Sequence, residues 1–499
     1  MKKFFFRPWW GLLLACCVFP GRLVAATDMV AFDDYFLDQT LRVDYCHAGN
    51  AAEELITLDN LYRQGRWAGN PHQTIDPFPY GPYIVKVYDA AEKKLIFSRG
   101  FASYFDEFRT TASALQGIKR TFAESVLIPF PKVRILLMIE GRDRRAGNRG
   151  RLIFQREIDP QRDLIRTEPL DREVKIIEVQ HSGDPQRKID LTFIAEGYSV
   201  VEEDKFRRDL ERMGGLFFGQ EPFRSHKERF NINGLFKPSP DSGCDEPGLG
   251  IFKRTAVDAS FDSLGLDRYV LTEADRKLQD IAAAVPSDFL VIMVNHGRYG
   301  GGGIYRQFCA FTVDSGVADY LLLHEFGHAF AGLADEYYTS SVTYNDFYPA
   351  GIEPLEPNIT ALLDAPAGLK WRDLASPGIP LPTPWLKAEY EKREQEYQQQ
   401  RRQLEERISA LKKQGGAVEE IERLQKQAER MTREQPARVA NFWRKNKYWG
   451  KVGAFEGAGY STKGLYRPML DCLMFSRGFK PYCAVCEQAL MRAIRFYSE

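Results

Sequence analysis

The sequence predicts an α+β protein in which an amino-terminal β-sandwich domain precedes an α/β domain with a helical-hairpin insertion. Short stretches in which apolar and polar residues alternate, separated by turns, dominate residues 27–172. Strand and helix patterns then alternate across residues 173–499. Within this second domain, a charged stretch at about residues 385–435 repeats apolar residues at helical spacing.

Length and composition agree with two packed domains. The chain has 499 residues, of which 44% are hydrophobic and 13% are aromatic. A single hydrophobic core rarely serves a chain of this length, so two domains are expected. The 68 basic residues balance 68 acidic ones, so the composition does not indicate nucleic acid as a partner.

The first 26 residues (1–26) predict export. A basic start precedes the apolar run Gly11–Phe19, and small residues follow before a predicted cleavage ahead of Thr27. The apolar run is too short to cross a bilayer, and no later stretch is long enough. Leu13–Cys16 also resembles a lipidation box, so a lipid anchor at Cys16 is the alternative to simple cleavage. We expect a secreted, periplasmic or envelope-associated protein.

Six cysteines follow the export segment, and their even number in an oxidising compartment favours disulfide bonds. The spacing Cys483-x-x-Cys486 would also suit a redox or zinc pair, but the sequence contains no second such pair to support that interpretation. The six are Cys46, Cys244, Cys309, Cys472, Cys483 and Cys486.

The amino-terminal domain is predicted from five strand-like stretches, of which the first two flank a polar turn as in a β-hairpin. His47 and His72 occur singly, so we interpret them as core or surface residues and not as ligands. The stretches are Tyr83–Tyr88, Leu95–Phe97, Val126–Ile128, Val133–Ile139 and Leu152–Phe154.

In the second domain, Ser199 and Thr272 are predicted to begin helices. The continuous apolar run Phe289–Val294 favours a buried central strand. Further strands are predicted at Val174–Val179, Ile189–Ile194 and Phe230–Leu235.

Four consecutive glycines then precede the stretch that carries the chemistry. Gly300, Gly301 and Gly302 are candidates for a substrate rim, because a strand without side chains lets a peptide backbone approach closely. A merely flexible loop is the alternative. Asp314 or Ser315 is expected to cap the helix that follows.

The stretch Leu321–Tyr338, LLLHEFGHAFAGLADEYY, contains the H-E-x-x-H pattern of a zinc peptidase helix. His324 and His328 are four residues apart, so both imidazoles project from one helix face and can share an ion. Glu325 lies beside them, where it can serve as a general base. A structural pair of histidines is the alternative interpretation.

The third zinc ligand is predicted to be acidic. Catalytic zinc sites use three protein ligands and keep one position open. None of the seven histidines follows His328. A glutamate from a later helix would come from a region such as Glu353 or Glu356, and both lie among prolines, which disfavour a ligand-bearing helix. A carboxylate delivered by a turn at Gly332 remains, and we favour Asp335 over Glu336.

A glycine turn that delivers the third ligand is also the arrangement of the metzincins, although here the glycine and the ligand candidate both fall one residue later. Metzincins carry a methionine turn under the metal, for which we favour Met474 over Met469. Tyr337, Tyr338 or Tyr466 could stabilise an oxyanion, with a packing role as the alternative for each.

The charged stretch at about 385–435 predicts a helical hairpin or a short antiparallel coiled coil. Tyr390, Tyr397, Leu404 and Leu411 recur every seven residues, and a second apolar stripe follows two glycines. The insertion could be a solvated spacer or an arm that binds a substrate or partner.

The motif stretch resembles the H-E-x-G-H-x-x-x-G-L-x-D-E-Y signature of the bacterial IgA-type metallopeptidases. The preceding β domain resembles the amino-terminal domain often found with that peptidase. The resemblance covers roughly residues 173–499, interrupted by the insertion, and implies a zinc peptidase domain. Further similar segments are Glu196–Tyr198, Asp241–Gly243, Tyr299–Gly301 and Tyr466–Cys486.

These observations predict a secreted endopeptidase that uses one Zn²⁺ to cleave extracellular proteins or glycoproteins. Its ligands would be His324, His328 and Asp335, with Glu325 as the general base. Two alternatives remain at this point. One is a non-catalytic protein that binds a glycoprotein or envelope partner, and the other is a zinc amidase acting on cell-wall peptides.

Overall fold

The computed structural model describes residues 30–143, 146–167, 170–339, 347–364, 367–413 and 417–499. The predicted export segment and Cys16 lie outside these ranges. Within them, none of the helices combines the length and apolar character that a bilayer span requires.

The chain forms a mixed α+β structure. The strands are β1 (Phe36–Gly49), β2 (Glu54–Gln64), β3 (Tyr83–Asp89), β4 (Leu95–Phe101), β5 (Arg120–Pro131), β6 (Ile135–Asp143), β7 (Arg149–Ile158), β8 (Lys175–Gln180), β9 (Ile189–Glu196), β10 (Phe230–Phe236), β11 (Phe289–Val294), β12 (Gly301–Ile304), β13 (Phe308–Thr312), β14 (Phe455–Ala458) and β15 (Ser461–Arg467). The α-helices are α1 (Phe32–Tyr35), α2 (Tyr104–Arg109), α3 (Ala112–Leu115), α4 (Glu203–Phe217), α5 (Asp275–Ala282), α6 (Ala318–Ala331), α7 (Lys387–Lys413), α8 (Val418–Trp443) and α9 (Ala484–Ser498).

The amino-terminal domain contains two antiparallel sheets, ordered β2-β1-β5 and β4-β3-β6-β7. Side chains from both sheets meet in one apolar core, to which β1 contributes Val43, β3 contributes Val85 and β6 contributes Leu137. The predicted β3–β4 hairpin is present, with Val87 paired to Phe97. The polar turn between these strands therefore sets their pairing, as the sequence pattern indicates.

The two strands that begin this domain, β1 and β2, were not predicted. Strand β1 pairs with both β2 and β5. It buries polar side chains, among them Arg42, Asp44 and His47, so the apolar alternation that marks a strand is broken. His47 is a buried residue between the carboxylates of Glu54 and Glu124, in agreement with the predicted core role.

The second domain is built on a six-stranded sheet of order β12-β13-β11-β9-β10-β8. The four central strands are parallel, and the edge strands β12 and β8 run antiparallel to their neighbours. One face packs against α4, α6 and α9, and the other packs against α5 and helix α2 of the amino-terminal domain. Strand β11 is buried throughout, as its apolar sequence predicts.

Helix α6 begins differently from the prediction. Its N-cap is Val317, which makes no side-chain capping bond, so neither Asp314 nor Ser315 caps it. Asp314 instead forms an ion pair with Lys205 at 2.9 Å. Burial of nearly the whole helix compensates for the missing cap, because packing contributes more to helix stability than local preferences do.

The two domains are joined by buried polar contacts. The guanidinium of Arg306, in the turn between β12 and β13, is paired with the carboxylate of Asp76 in the amino-terminal domain. The backbone N–H of Arg306 donates to the carbonyl of Ala329 in α6 at 2.9 Å. Ser125 also donates across the interface to Asp275 at 2.6 Å. The interface therefore reaches the helix that carries the predicted metal ligands.

The insertion is an antiparallel hairpin of α7 and α8. Leu404, Leu424 and Ala428 are buried against one another along the seam between the two helices. Ile408, Leu411 and Met431 are partly buried against them. The structure therefore shows the predicted helical hairpin and does not support the coiled-coil interpretation. The predicted end near residue 435 was wrong, because α8 continues through Pro436 to Trp443. Trp443 is fully buried in the core of the second domain, and this packing holds the last turns in place.

The predicted disulfides are not formed. All six cysteines of the described ranges are free. Cys244 and Cys309 are buried in separate positions. The Sγ atoms of Cys472 and Cys486 are 3.8 Å apart, well beyond the roughly 2.05 Å of a disulfide bond.

Candidate active site

Helix α6 presents His324, Glu325 and His328 at the base of a cleft. The helix ends at Gly332, whose backbone is left-handed, with φ 61° and ψ 34°. Glycine adopts this conformation without the steric cost of a side chain. The reversal turns the chain back toward the helix and brings Asp335 over the two imidazoles.

Three side-chain atoms converge at this point. The Nε2 atoms of His324 and His328 lie 3.2 Å apart. Oδ1 of Asp335 lies 2.9 Å from the first and 3.3 Å from the second. The fold therefore brings together the three residues that the sequence predicts as metal ligands.

The outer nitrogens of both imidazoles are occupied by backbone carbonyls. Nδ1 of His328 lies 2.6 Å from the carbonyl oxygen of Leu333, and Nδ1 of His324 lies 3.3 Å from that of Leu473. A carbonyl can only accept, so neutral His328 carries its proton on Nδ1 and directs the Nε2 lone pair at the convergence point, whereas Nδ1 of His324 also lies 3.2 Å from the hydroxyl of Tyr320. Such contacts fix the tautomer and orientation of metal-binding histidines.

The three atoms fit a zinc ion. Bonds of about 2.0–2.1 Å in a tetrahedral site place neighbouring ligand atoms about 3.3 Å apart, close to the observed separations. Oδ1 of Asp335 is buried and receives no hydrogen bond of acceptable geometry from the described part of the chain. Oδ2 accepts one from the hydroxyl of Tyr460 at 2.6 Å. A cation would satisfy the oxygen that the protein leaves unpaired.

The electrostatics of the cluster favour positive charge. Burial alone would lower the pKa of His328, but Asp335 and Glu325 raise it to about 9. Burial opposes ionisation of Asp335, yet His328 and His324 hold the pKa of that carboxyl well below its usual value. Burial also raises the pKa of Glu325, against the lowering effect of the two histidines.

The glycines of β12 allow α6 to lie directly against the strand. A Cβ at Gly301 would come within 3.0 Å of Glu325 Cγ, and one at Gly303 within 2.5 Å of the Glu325 carbonyl oxygen. Gly301 and Gly302 line the cleft, and Gly300 does not. The outer edge of β12 is already paired at Gly301, which bonds to the segment 268–270.

Replacing Gly303 with alanine should therefore disturb the site. The new Cβ would meet helix backbone that cannot move aside, and overpacking of this kind costs about 1–3 kcal/mol. We expect a lower melting temperature and reduced peptide hydrolysis. Gly316→Ala is the matched control, since a Cβ there meets nothing within 4 Å. Equal melting temperatures for the two variants would show that the close contact is not required.

Met474 lies beneath α6, because a Cβ at Gly327 would be 3.1 Å from its sulfur. Met469 is only partly buried and packs elsewhere on the core. Glu336, the alternative third ligand, turns away from the histidines. Its Oε1 lies 3.2 Å from the sulfur of Cys486.

The cleft has walls from three parts of the chain. Besides α6 and β12, the amino-terminal domain contributes Gly81 and Pro82, and the helical hairpin contributes a wall of its own. The hairpin residues are Tyr390, Glu394, Tyr397, Gln398, Thr432, Gln435, Pro436 and Val439.

Three residues around the site were not predicted from the sequence. Tyr320, whose hydroxyl lies 3.2 Å from His324 Nδ1, precedes that histidine by four residues, so helical spacing could have identified it. Tyr460 carries no local signal. Arg268 lines the cleft and donates to the hydroxyl of Tyr337 at 3.4 Å. Of the tyrosines considered for an oxyanion role, Tyr337 alone belongs to the cleft lining.

Comparison with known proteins agrees with this architecture. A family model described as IgA Peptidase M64 matches residues 177–494. A second, described as Peptidase M64 N-terminus, matches residues 31–152. No curated protein matches the chain.

Proposed function

Because the chain belongs to the IgA peptidase M64 family, it is a peptidase, and we propose that it is an exported, zinc-dependent endopeptidase. The observation that carries the proposal is the convergence of His324, His328 and Asp335 on one point. Glu325 lies beside this point in an open cleft. The same cleft could receive an extended protein segment.

The proposed roles follow from position. A bound zinc ion supplies Lewis-acid activation of water and of the scissile carbonyl, and lowers the pKa of that water toward ~7. Glu325 takes the proton of the attacking water and returns it to the leaving amine. The hydroxyl of Tyr337, held by Arg268, is suited to donate a hydrogen bond to the developing oxyanion.

We further propose a metzincin-like arrangement. It is supported by the glycine turn at Gly332, by Asp335 as the third ligand candidate, and by Met474 beneath the helix. The glycine and the ligand candidate both lie one residue later than in the metzincin pattern, and these two shifts agree with each other because the turn moves as a unit. Export, with cleavage before Thr27 or a lipid anchor at Cys16, is proposed from the sequence alone.

The substrate is proposed to be a protein or glycoprotein. The hairpin and the amino-terminal domain both wall the cleft, so they are placed to select among substrates. A non-catalytic binding protein is the competing function, and a cell-wall amidase is the third.

Incubation of the purified chain with mixed host and bacterial proteins tests this proposal. We expect new protein termini that disappear when a chelator removes zinc and return when zinc is restored. Immunoglobulin A and cell-wall peptides serve as separate substrates in the same assay. Cleavage confined to cell-wall peptides would favour the amidase, and no chelator-sensitive cleavage of any substrate would favour the binding protein.

A further inference from the structure

A second cluster of potential ligands lies behind the active site. Cys472, Cys483, Cys486 and Glu336 place their ligand atoms within 4.8 Å of one another. All four residues are buried, and none of them lines the described cleft. The proposed peptidase reaction uses none of these side chains.

The separations suit a tetrahedral metal site. The sulfurs of Cys472 and Cys486 are 3.8 Å apart, and Oε1 of Glu336 lies 3.2 Å and 3.7 Å from the sulfurs of Cys486 and Cys483. With zinc–sulfur bonds of about 2.3 Å and zinc–oxygen bonds of about 2.0 Å, a tetrahedron places sulfurs about 3.8 Å apart and sulfur about 3.5 Å from oxygen.

Backbone N–H groups are directed at two of the sulfurs. Cys472 accepts from the N–H of Cys483 at 3.1 Å and from that of Met474 at 3.5 Å. Cys483 accepts from the N–H of Cys486 at 3.5 Å. Donors of this kind stabilise a thiolate, which is the form that binds metal.

Glu336 has an unsatisfied oxygen in this setting. The residue is fully buried; its Oε1 also accepts from Nδ2 of Asn358 at 3.1 Å, and its Oε2 has no hydrogen-bond partner among the described residues. Leaving a buried carboxylate oxygen unpaired is costly. The buried guanidinium of Arg467 interacts favourably with Glu336 and offsets part of the negative charge of the cluster.

We propose that Cys472, Cys483, Cys486 and Glu336 bind a structural zinc ion, separate from the catalytic one. The thiolates and one carboxylate oxygen complete four ligands and leave no open position, as structural zinc sites require. A disulfide would use only two of the three thiols and would not satisfy Oε2 of Glu336.

This ion would hold the active-site loops together. Glu336 follows Asp335 directly, and its N–H donates to the carbonyl of Met474 at 2.9 Å. Cys472 precedes Leu473, whose carbonyl faces His324. Cys483 caps α9. One ion would thus tie the third-ligand turn, the methionine loop and the last helix to one another.

Zinc X-ray absorption on the purified full chain tests the proposal. We expect scattering from sulfur at about 2.3 Å in addition to nitrogen and oxygen neighbours, and about two zinc ions per chain. Replacing zinc with Co²⁺ should add a thiolate-to-cobalt charge-transfer band, which histidine and carboxylate ligands cannot give. Sulfur scattering without catalytic activity would still support this site and would count against the proposed peptidase alone.

Cys486→Ala should remove the sulfur signal and about one zinc ion per chain. Cys309→Ala is the matched control, because Cys309 is an isolated buried cysteine and should keep both signals. If Cys486→Ala fails to fold, the X-ray absorption and Co²⁺ spectra of the wild-type chain still test the proposal. Zinc with only nitrogen and oxygen neighbours in the wild-type chain, or a disulfide among these cysteines found by mass spectrometry, would overturn the proposal.

Discussion

Glu325→Gln is expected to reduce peptide hydrolysis by about 10²–10⁴-fold, the usual contribution of a positioned general base. Glutamine keeps the shape of the side chain. This matters because Glu325 packs closely against Gly301, where an added Cβ would lie only 3.0 Å from Glu325 Cγ. Glutamine cannot take a proton from water. Zinc should remain bound, since the three proposed ligands are unchanged.

The assay compares initial rates on a peptide substrate with the zinc content of the same preparation. Glu246→Gln is the matched control, because Glu246 is another buried carboxylate of the same domain and does not line the cleft. It should retain activity close to that of the wild type. Undiminished hydrolysis by Glu325→Gln would remove that residue from the mechanism.

Asp335→Ala is expected to abolish hydrolysis by removing the catalytic zinc. Only two histidines would remain at the convergence point, and three protein ligands are the norm for catalytic zinc. X-ray absorption should show loss of the zinc with nitrogen and oxygen neighbours, while any zinc bound by sulfur is unaffected. Retention of that zinc at full occupancy would mean that another residue is the third ligand.

Tyr460→Phe provides a graded comparison for the same site. The hydroxyl of Tyr460 donates to Oδ2 of Asp335 at 2.6 Å, so its removal leaves the ligand in place but less well oriented. Loss of such a supporting contact lowers metal affinity by about 10–100-fold. Titration with a competing chelator would measure the difference, and unchanged affinity would show that this bond does not orient the carboxylate.

Secondary-structure elements with a strong local sequence pattern were predicted correctly. The β3–β4 hairpin and the buried strand β11 followed from turn and apolar patterns that tertiary contacts did not override. Strand β1 was missed because its buried side chains include polar and charged ones, with Arg42 paired to Asp44 within the strand and His47 paired to Glu124 of β5. The end of α8 was misplaced because Trp443 is anchored in the core, and that contact outweighs the local effect of Pro436.

The candidate site was predictable where it is contiguous in sequence. His324, Glu325, His328 and Asp335 lie within twelve residues, and helix and turn geometry alone brings them together. Tyr460 and Arg268 reach the site from distant segments, so no spacing rule could identify them. The disulfide prediction was wrong. It rested on an even number of cysteines and an expected oxidising compartment, whereas the fold places Glu336 among three of the thiols.

The pairing of Arg306 with Asp76 ties the amino-terminal domain to the second domain beside the active-site helix. Arg306 also bonds through its backbone to Ala329, one residue beyond His328. A recombination event that replaced the amino-terminal domain would leave a buried guanidinium without its carboxylate, next to the helix of the active site. The peptidase and its β domain should therefore be inherited as one unit, and new specificities should arise by changing the hairpin, which can vary without disturbing that pair.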